Sequence, residues 1–259
     1  MNKKCFSTLG CHDRSLSEVI DLAKKYGIDA VEIRGLDGIL DNGEILCFKD
    51  ENIGETRKKF LENGITPLVL GTTCMFHDRE AYDKAMIEGM TAIEIAAKVG
   101  FKAIRVFGDH ITGDESECVS LVAKGIRQLC DYAEKYGVTV YHEIHGEFNT
   151  ASRLDRILEV CADSPAFAFI WDVCHTRKTH PDWQSFYHRF KPYIKHVHLK
   201  DVTESGHVIP GEGIMPLKEI ADYLTRDGYD GYFSLEWERK WHPELPIIEE
   251  ALDGYFATV

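Results

Sequence analysis

Helix, glycine, strand: that order recurs along the chain and limits its fold more than any other feature. A helix-like stretch ends in Gly, and a short apolar strand follows almost at once, at Tyr26-Gly27 before DAVEIR, Asn63-Gly64 before ITPLVL and Val99-Gly100 before KAIRVF. The same order returns at Tyr136-Gly137 before VTVYHE and Asp227-Gly228 before YFSLEW. Glycine after a helix adopts the left-handed conformation that ends it, and the chain turns back into a sheet. Ser15 and Glu18 have capping-box spacing at the first helix. Val119, Val122, Ile126, Leu129 and Ala133 recur at helical spacing, as do Met86, Met90, Ile93 and Ala97.

The strands between are nearly unbroken apolar runs, the pattern of a sheet covered on both faces. They are expected at 5–9, 30–34, 66–70, 103–107, 139–144, 167–172, 194–199 and 232–237. Eight strands alternating with helices over 259 residues favour a closed (β/α)8 TIM barrel, a single α/β domain spanning residues 1–259. An open doubly wound sheet would carry GxGxxG after its first strand. The segment there reads TLGCHD.

Composition narrows the function classes. The formal net charge of -13 counts against a protein that grips phosphate backbones, so no nucleic-acid partner is expected. No apolar run approaches bilayer length, and no membrane partner is expected. MNKKCFSTLGCHDR lacks the apolar region of a signal peptide. Eight scattered cysteines without a CxxC pair read as reduced thiols, and the expectation is a cytoplasmic protein. A homo-oligomer stays open, because nothing in the sequence specifies an interface.

In a barrel the open mouth is built at the C-terminal strand ends. There this chain concentrates its unusual polar residues: His142-Glu143-Ile144-His145 on strand five and Asp172 closing strand six, with His175 just beyond. His196, His198 and Lys200 follow on strand seven, and Glu236 closes strand eight. Strand side chains alternate, so Glu143 and His145 share a face, as do His196, His198 and Lys200. If each set points inward, Glu143, Asp172, His198 and Glu236 converge on one axial point. Any one of them alone reads equally well as a cap or an ion-pair partner. Together, three buried carboxylates without a cation would be costly. An O3N set suits one divalent metal ion, Mn first, then Mg, Co or Zn, with open positions for substrate oxygens. The HEIH run is not a zinc-protease helix, because its histidines are three apart in a β-rich segment.

These residues also carry a family likeness. From AKKYGIDAVEIR through IKHVHLKD to GYDGYFSLEWE, the chain resembles the xylose isomerase-like barrel superfamily, in the sugar phosphate isomerase/epimerase branch. The resemblance implies metal ligands at Glu143, Asp172, His198 and Glu236, and a substrate- or proton-assisting His175 in an Asp-x-x-His element. Ketose 3-epimerases of this kind have a further glutamate where this chain has Asn149. The Glu143-x-His145 and His198-x-Lys200 pairs look more like members that dehydrate or isomerise keto-cyclitols and dehydroshikimate. Endonuclease IV needs extra histidines on strands three and four. Here those strands end in LVLGTT and RVFGDH, with only His77 and His110 downstream, so DNA cleavage is not expected.

The implied reaction is isomerisation or epimerisation of a ketose or keto-sugar, by proton abstraction next to a carbonyl through a metal-bound enediolate. The alternatives are a dehydratase or lyase acting on a keto-cyclitol, keto-glycoside or dehydroshikimate-like substrate, and a non-catalytic metal-containing sugar-binding subunit. Glu143 and Glu236 are the bases for epimerisation, and His145 is the base for elimination. Lys200 is the acid or oxyanion partner, or else a salt bridge to Asp201. His175 orients substrate or supports Asp172. Arg34 and Arg105 contact substrate oxygens or form ion pairs in the mouth, with Glu32 as partner. Trp237, with Trp241 and His242, walls the pocket or packs in a loop. The Gly211-Glu212-Gly213 loop closes over the site or merely turns, and it has no basic neighbours for a phosphorylated substrate.

Overall fold

The computed structural model describes residues 3–259. The first half of the chain runs β1 (Lys3–Ser7), α1 (Leu16–Tyr26), β2 (Ala30–Ile33), α2 (Ile53–Asn63), β3 (Thr66–Met75), α3 (Tyr82–Val99), β4 (Ala103–Phe107), α4 (Glu115–Ala133) and β5 (Thr139–Glu143). The second half runs α5 (Ala151–Cys161), β6 (Phe167–Asp172), α6 (Val173–Thr176), α7 (Trp183–Phe190), β7 (Ile194–Leu199), β8 (Asp201–Thr203), β9 (Gly206–Val208), α8 (Leu217–Arg226), β10 (Tyr232–Leu235) and α9 (Ile248–Thr258). Eight parallel strands close in the order β1-β10-β7-β6-β5-β4-β3-β2, with the helices outside. This is the expected (β/α)8 barrel.

The glycine punctuation works as its chemistry requires. Gly27, Gly64, Gly100 and Gly137 each end a helical segment with φ between 65° and 104°. Gly228, one residue past the cap of α8, has φ 83°. At α1 the Ser15 hydroxyl accepts from the Glu18 amide while Glu18 accepts from the Ser15 amide, both halves of the capping box.

Several boundaries differ from expectation: β3 runs on to Met75 where 70 was expected, and β10 stops at Leu235 where 237 was. The first strand, expected at 5–9, stops at Ser7, whose hydroxyl accepts from the Leu9 amide and starts a 3-10 turn over Thr8–Cys11. Thr8 Oγ1 then donates to Gly35 O at 2.8 Å, which ties this turn to the segment after β2. The antiparallel hairpin β8–β9, between the seventh barrel strand and its helix, was not anticipated. Its strands are too short to give a period.

Alternation along the strands divides the barrel interior into two zones. Cys5, Ala30, Leu68, Val69 and Ala103 form an apolar cluster at the N-terminal end, packed with Tyr141 and Tyr232. Two residues further along β2, β4 and β5 stand Glu32, Arg105 and Glu143. The opposite parity faces the helices and supplies the main core, including Phe6, Val31, Ile104, Val140 and Val197. An apolar plug below and a charged mouth above follow directly from the two-residue period. All eight cysteines are unpaired. Among the described residues, no helix is long and apolar enough to cross a membrane.

The outer packing is close enough to be tested at one glycine. A Cβ on Gly125 of α4 would lie 2.4 Å from Cγ of the buried Phe76 ring. Alanine is favoured over glycine in a helix by about 1 kcal/mol, but overpacking a tight core costs about 1–3 kcal/mol. Gly125→Ala is therefore expected to lower stability by about 1 kcal/mol, read from the urea midpoint. An unchanged or raised midpoint would contradict this packing.

Candidate metal centre

The mouth is built from strand ends that the barrel brings together. Asp172 pairs in register with His198, and His198 with Ser234, two residues before Glu236. Ligand atoms of Glu143, Asp172, His198 and Glu236 all lie within 4.8 Å of one another, and all four residues are buried. His198 Nδ1 is 2.8 Å from Glu143 Oε1 and 3.4 Å from Glu236 Oε1, so Nδ1 is the nitrogen that faces the carboxylates. Its other nitrogen, Nε2, is 3.0 Å from Glu32 Oε2, which also meets His196 Nε2 at 2.9 Å. Glu32 thus fixes the ring from behind, as carboxylates do for metal-ligating histidines.

Two cations hold the acids together. Arg105 Nε donates to Glu143 Oε2 at 2.7 Å, and Nη2 donates to the same oxygen. Lys200 Nζ donates to Glu236 Oε2 at 2.7 Å and to Glu238 Oε1. It lies 2.9 Å from Asp172 Oδ2, yet that oxygen has no partner in hydrogen-bonding geometry. A fully buried carboxylate oxygen without a hydrogen bond, in a ring of three acids and one imidazole, has a lone pair available to a divalent ion. The donor set fits such an ion.

The titration tendencies follow from this crowding. Burial alone would push His198 down, but Glu32, Glu236 and Glu143 outweigh it and hold the imidazole well above its ordinary value. Burial likewise opposes the charge on Lys200, and Asp172, Glu236 and Glu238 reverse it, so the ammonium is held tightly protonated. For Glu143, burial raises and Arg105 lowers. The net direction is down. Glu236 falls well below the carboxylate range because Lys200 and His198 overcome its burial.

Beside this ring, reaching it at Glu236, lies a cavity of about 370 Å³ whose lining also includes Arg34, Arg105, Asp109, His145 and Trp241. A larger cleft of about 580 Å³, lined by Arg177, Trp183 and Ile214 among others, contains none of the four ring residues. The charged groups locate the site better than cavity size does. His145 Nδ1 stands 3.3 Å from Asp109 Oδ1, and its ring is 4.0 Å, centroid to centroid, from that of His175. His175 Nε2 is 3.9 Å from Asp172 Oδ2, and burial lowers its pKa. Arg34 is 5% exposed, and its nearest polar partner is Leu40 O at 3.5 Å. Burial, with Arg105 beside it, pushes its pKa down to about 10. Its stem crosses Gly71, where a Cβ would come within 2.6 Å of Arg34 Cδ.

Several sequence expectations need correction. Trp237 does not wall the pocket. It is fully buried, and its indole N–H donates to Pro246 O at 2.9 Å. Trp241, half exposed, takes the wall position. Glu32 does not pair with the arginines, because both histidines of β7 reach it first and Arg105 takes Glu143. Lys200 does not bridge to Asp201, whose carboxylate accepts the amides of Val202, Gly211, Gly213 and Met215. Those bonds make the Gly211-Glu212-Gly213 segment a pinned turn. Sequence reasoning missed Glu238 and Asp109. Glu238 shares the parity of Glu236 just past the strand, a signal that was available, whereas Asp109 lies in a loop without a period.

With this geometry in view, the comparisons with known proteins fall into place. The family model described as xylose isomerase-like TIM barrel matches residues 20–257, and the chain belongs to that family. It is 29% identical over 157 residues to the inosose dehydratase of Lacticaseibacillus casei, covering 52% of this chain and 51% of the relative, about half its length. It is 25% identical over 267 residues to the inosose isomerase of Bacillus velezensis, covering 95% of this chain and 92% of that one. A crystal structure of the IOLI protein with a binding zinc atom superposes with TM-score 0.81 at 21% identity, covering 99% of this chain and 96% of that chain.

One buried group tests the electrostatics beside the ring. His142 is fully buried against Phe148 and Phe169, neither ring nitrogen has a partner, and burial pushes its pKa down to about 3 from 6.5. Above 6.5 both folded and unfolded chains hold it neutral. Below that, the unfolded chain gains a proton that the native one refuses, so stability falls from 6.5 towards 3. The cost is up to about 1.4 kcal/mol per pH unit. His142→Leu should flatten that loss, seen by comparing denaturant midpoints at neutral and mildly acid pH. An equally steep fall in the variant would contradict it.

Proposed function

We propose that this chain is a divalent-metal-dependent enzyme that removes a proton next to the carbonyl of a ketose, keto-sugar or keto-cyclitol, with isomerisation or epimerisation as the outcome. The observation that carries the reading is the buried ring of three carboxylates and one imidazole, with Asp172 Oδ2 outside hydrogen-bonding geometry, which meets through Glu236 a cavity also lined by His145 and Arg34. Curated relatives with the names inosose isomerase and inosose dehydratase support the substrate class. Glu143, Asp172, His198 and Glu236 would hold the ion, with manganese first and zinc, magnesium or cobalt as the other candidates. When bound, such an ion supplies Lewis acidity that acidifies the C–H beside a carbonyl.

The chain's own residues then divide the work. Arg34, an uncommitted guanidinium at the pocket wall, is placed to donate to substrate oxygens. Trp241 offers an aromatic face to a sugar ring. For isomerisation or epimerisation, Glu143 and Glu236 take the proton from carbon and return it to carbon, on the neighbouring atom or the opposite face. Lys200, held as an ammonium by three carboxylates, stabilises the negative charge on oxygen in between. His145, 3.3 Å from Asp109, is the base for elimination. His175 keeps His145 and the substrate in register.

One observation favours the elimination reading as the second choice. Both oxygens of Glu143 are engaged, Oε2 by Arg105 and Oε1 by His198, which weakens Glu143 as one of two opposed glutamate bases. His145 and Lys200 are then the acid–base pair, and Lys200 protonates a leaving hydroxyl. The two outcomes separate in one experiment, incubation with an inosose in D2O under NMR. Isomerisation or epimerisation gives deuterium wash-in without loss of hydroxyl, and dehydration gives an enone. Neither signal across a panel of ketoses, keto-glycosides and keto-cyclitols would end the enzymatic reading and favour the sugar-binding alternative.

Three further outcomes are expected. Glu143→Gln should lose the ion and turnover together, whereas Lys200→Met should keep the ion and lose about 10²–10⁴-fold in kcat. Full activity in either variant contradicts its assigned role. Because His198 carries a proton in the ion-free protein and ligates only when neutral, metal uptake should release a proton. Affinity should therefore weaken as pH falls, by up to about tenfold per unit. Titration calorimetry in buffers of different ionisation enthalpy checks this, and pH-independent affinity would contradict it.

A further inference from the structure

A second group of metal-type donors sits on the rim of the mouth, outside the ring described above. His207 comes from β9 of the hairpin, while Glu238 and His242 come from the turn after β10. One ligand atom from each lies within 4.8 Å of the others. His207 Nε2 is 3.8 Å from Glu238 Oε2, and the two imidazole rings are 5.1 Å apart, centroid to centroid. The His242 amide donates to Glu238 O at 3.0 Å, so the backbone itself holds these two residues in one turn. His207 Nδ1 is buried without a hydrogen-bond partner. The side chain of His242 is 43% exposed, which leaves a path for an ion to enter.

We propose that His207, Glu238 and His242 form a second, rim-located site for a divalent transition metal, with zinc(II) as the ion the donors suit best. Two imidazoles and one carboxylate, with a side open to solvent, make a three-ligand zinc set that keeps a position for water or substrate. Magnesium and calcium, which want oxygen, are poorly served by two nitrogens. Donors around a tetrahedral zinc stand about 3.4 Å apart at bond lengths near 2.0–2.1 Å. The His207–Glu238 pair is already close to that, and His242, whose Nδ1 stands 3.4 Å from Glu244 Oε1, would turn towards the pair to complete the set.

The position gives the site a consequence. Glu238 offers Oε2 to the rim group while Oε1 holds Lys200. An ion there would tie the β8–β9 hairpin to the loop that carries Glu238 and Trp241, both of which line the cavity. It would fix the mouth and restrain the carboxylate behind Lys200. This inference stands independently of the reaction proposed above, because none of its three ligands belongs to the inner ring.

The experiment is zinc titration of the chelator-stripped full chain by equilibrium dialysis, repeated with cobalt(II) to read the visible absorption of each site. The wild type should take up two equivalents. His242→Ala, at a partly exposed position that does not threaten folding, and His207→Ala should each lose one equivalent and its cobalt spectrum. Glu143→Gln should lose the other and keep the rim spectrum. Uptake of two equivalents by the His207→Ala/His242→Ala double variant would overturn the proposal, as would a single wild-type equivalent that disappears only in Glu143→Gln. A single equivalent lost in His242→Ala but kept in Glu143→Gln would uphold the rim site while removing the inner metal.

Discussion

Glu32, Glu143, Asp172, Glu236 and Glu238 are gathered at one end of a barrel whose walls exclude water, and each has lost most or all of its exposure. Removing a carboxylate from water costs several kcal/mol even after relaxation, and packing five together adds mutual repulsion. The arrangement holds only because cations are threaded between the acids. Arg105 sits against Glu143, Lys200 among Asp172, Glu236 and Glu238, and a protonated His198 between Glu32 and the ring. The rest of the mouth follows from that balance. A divalent ion bound by the ring would take over the place of the His198 proton.

The same constraint separates rigid from reactive parts. The ring residues stand at or just past strand ends and are locked by partners behind them: Glu32 for His198, Arg105 with Thr72 behind it for Glu143, and for Asp172 the amides of the short helix that its side chain caps. The groups assigned to proton transfer and substrate contact lie just above. His145, Asp109 and Trp241 come from loops, where small adjustments do not disturb the buried charges. Isomerisation and elimination share their first proton abstraction and part only at the destination of the next proton. One scaffold with a lysine at the ring can therefore serve either outcome, in keeping with relatives that bear both names.

Much of the fold was legible because its causes are local. Gly27, Gly64, Gly100 and Gly137 stop helices through their own backbone freedom, and apolar runs between them have nowhere to go but a covered sheet. Alternation even separated the inward His196, His198 and Lys200 from their neighbours. Local reasoning failed where a non-local bond decided. The turn after Ser7 is tied to Gly35, and the β8–β9 hairpin is too short to show a period. Trp237 and Trp241, four residues apart and both expected at the pocket wall, part company, because Gly10 packs against Trp237 and Trp241 is left at the rim.

By itself, the sequence determined the eight-fold alternation, the end of the barrel at which the chemistry collects, and the residue types available there. Each depends on periods and turn preferences acting over a few residues. Which cation meets which acid, which nitrogen of His198 faces the ring, and whether Lys200 pairs with its neighbour or with groups from two other segments were decided only by closure of the barrel. Register and strand tilt bring together atoms separated by tens to hundreds of residues. Electrostatic pairing falls off so steeply with distance that no local pattern can anticipate it.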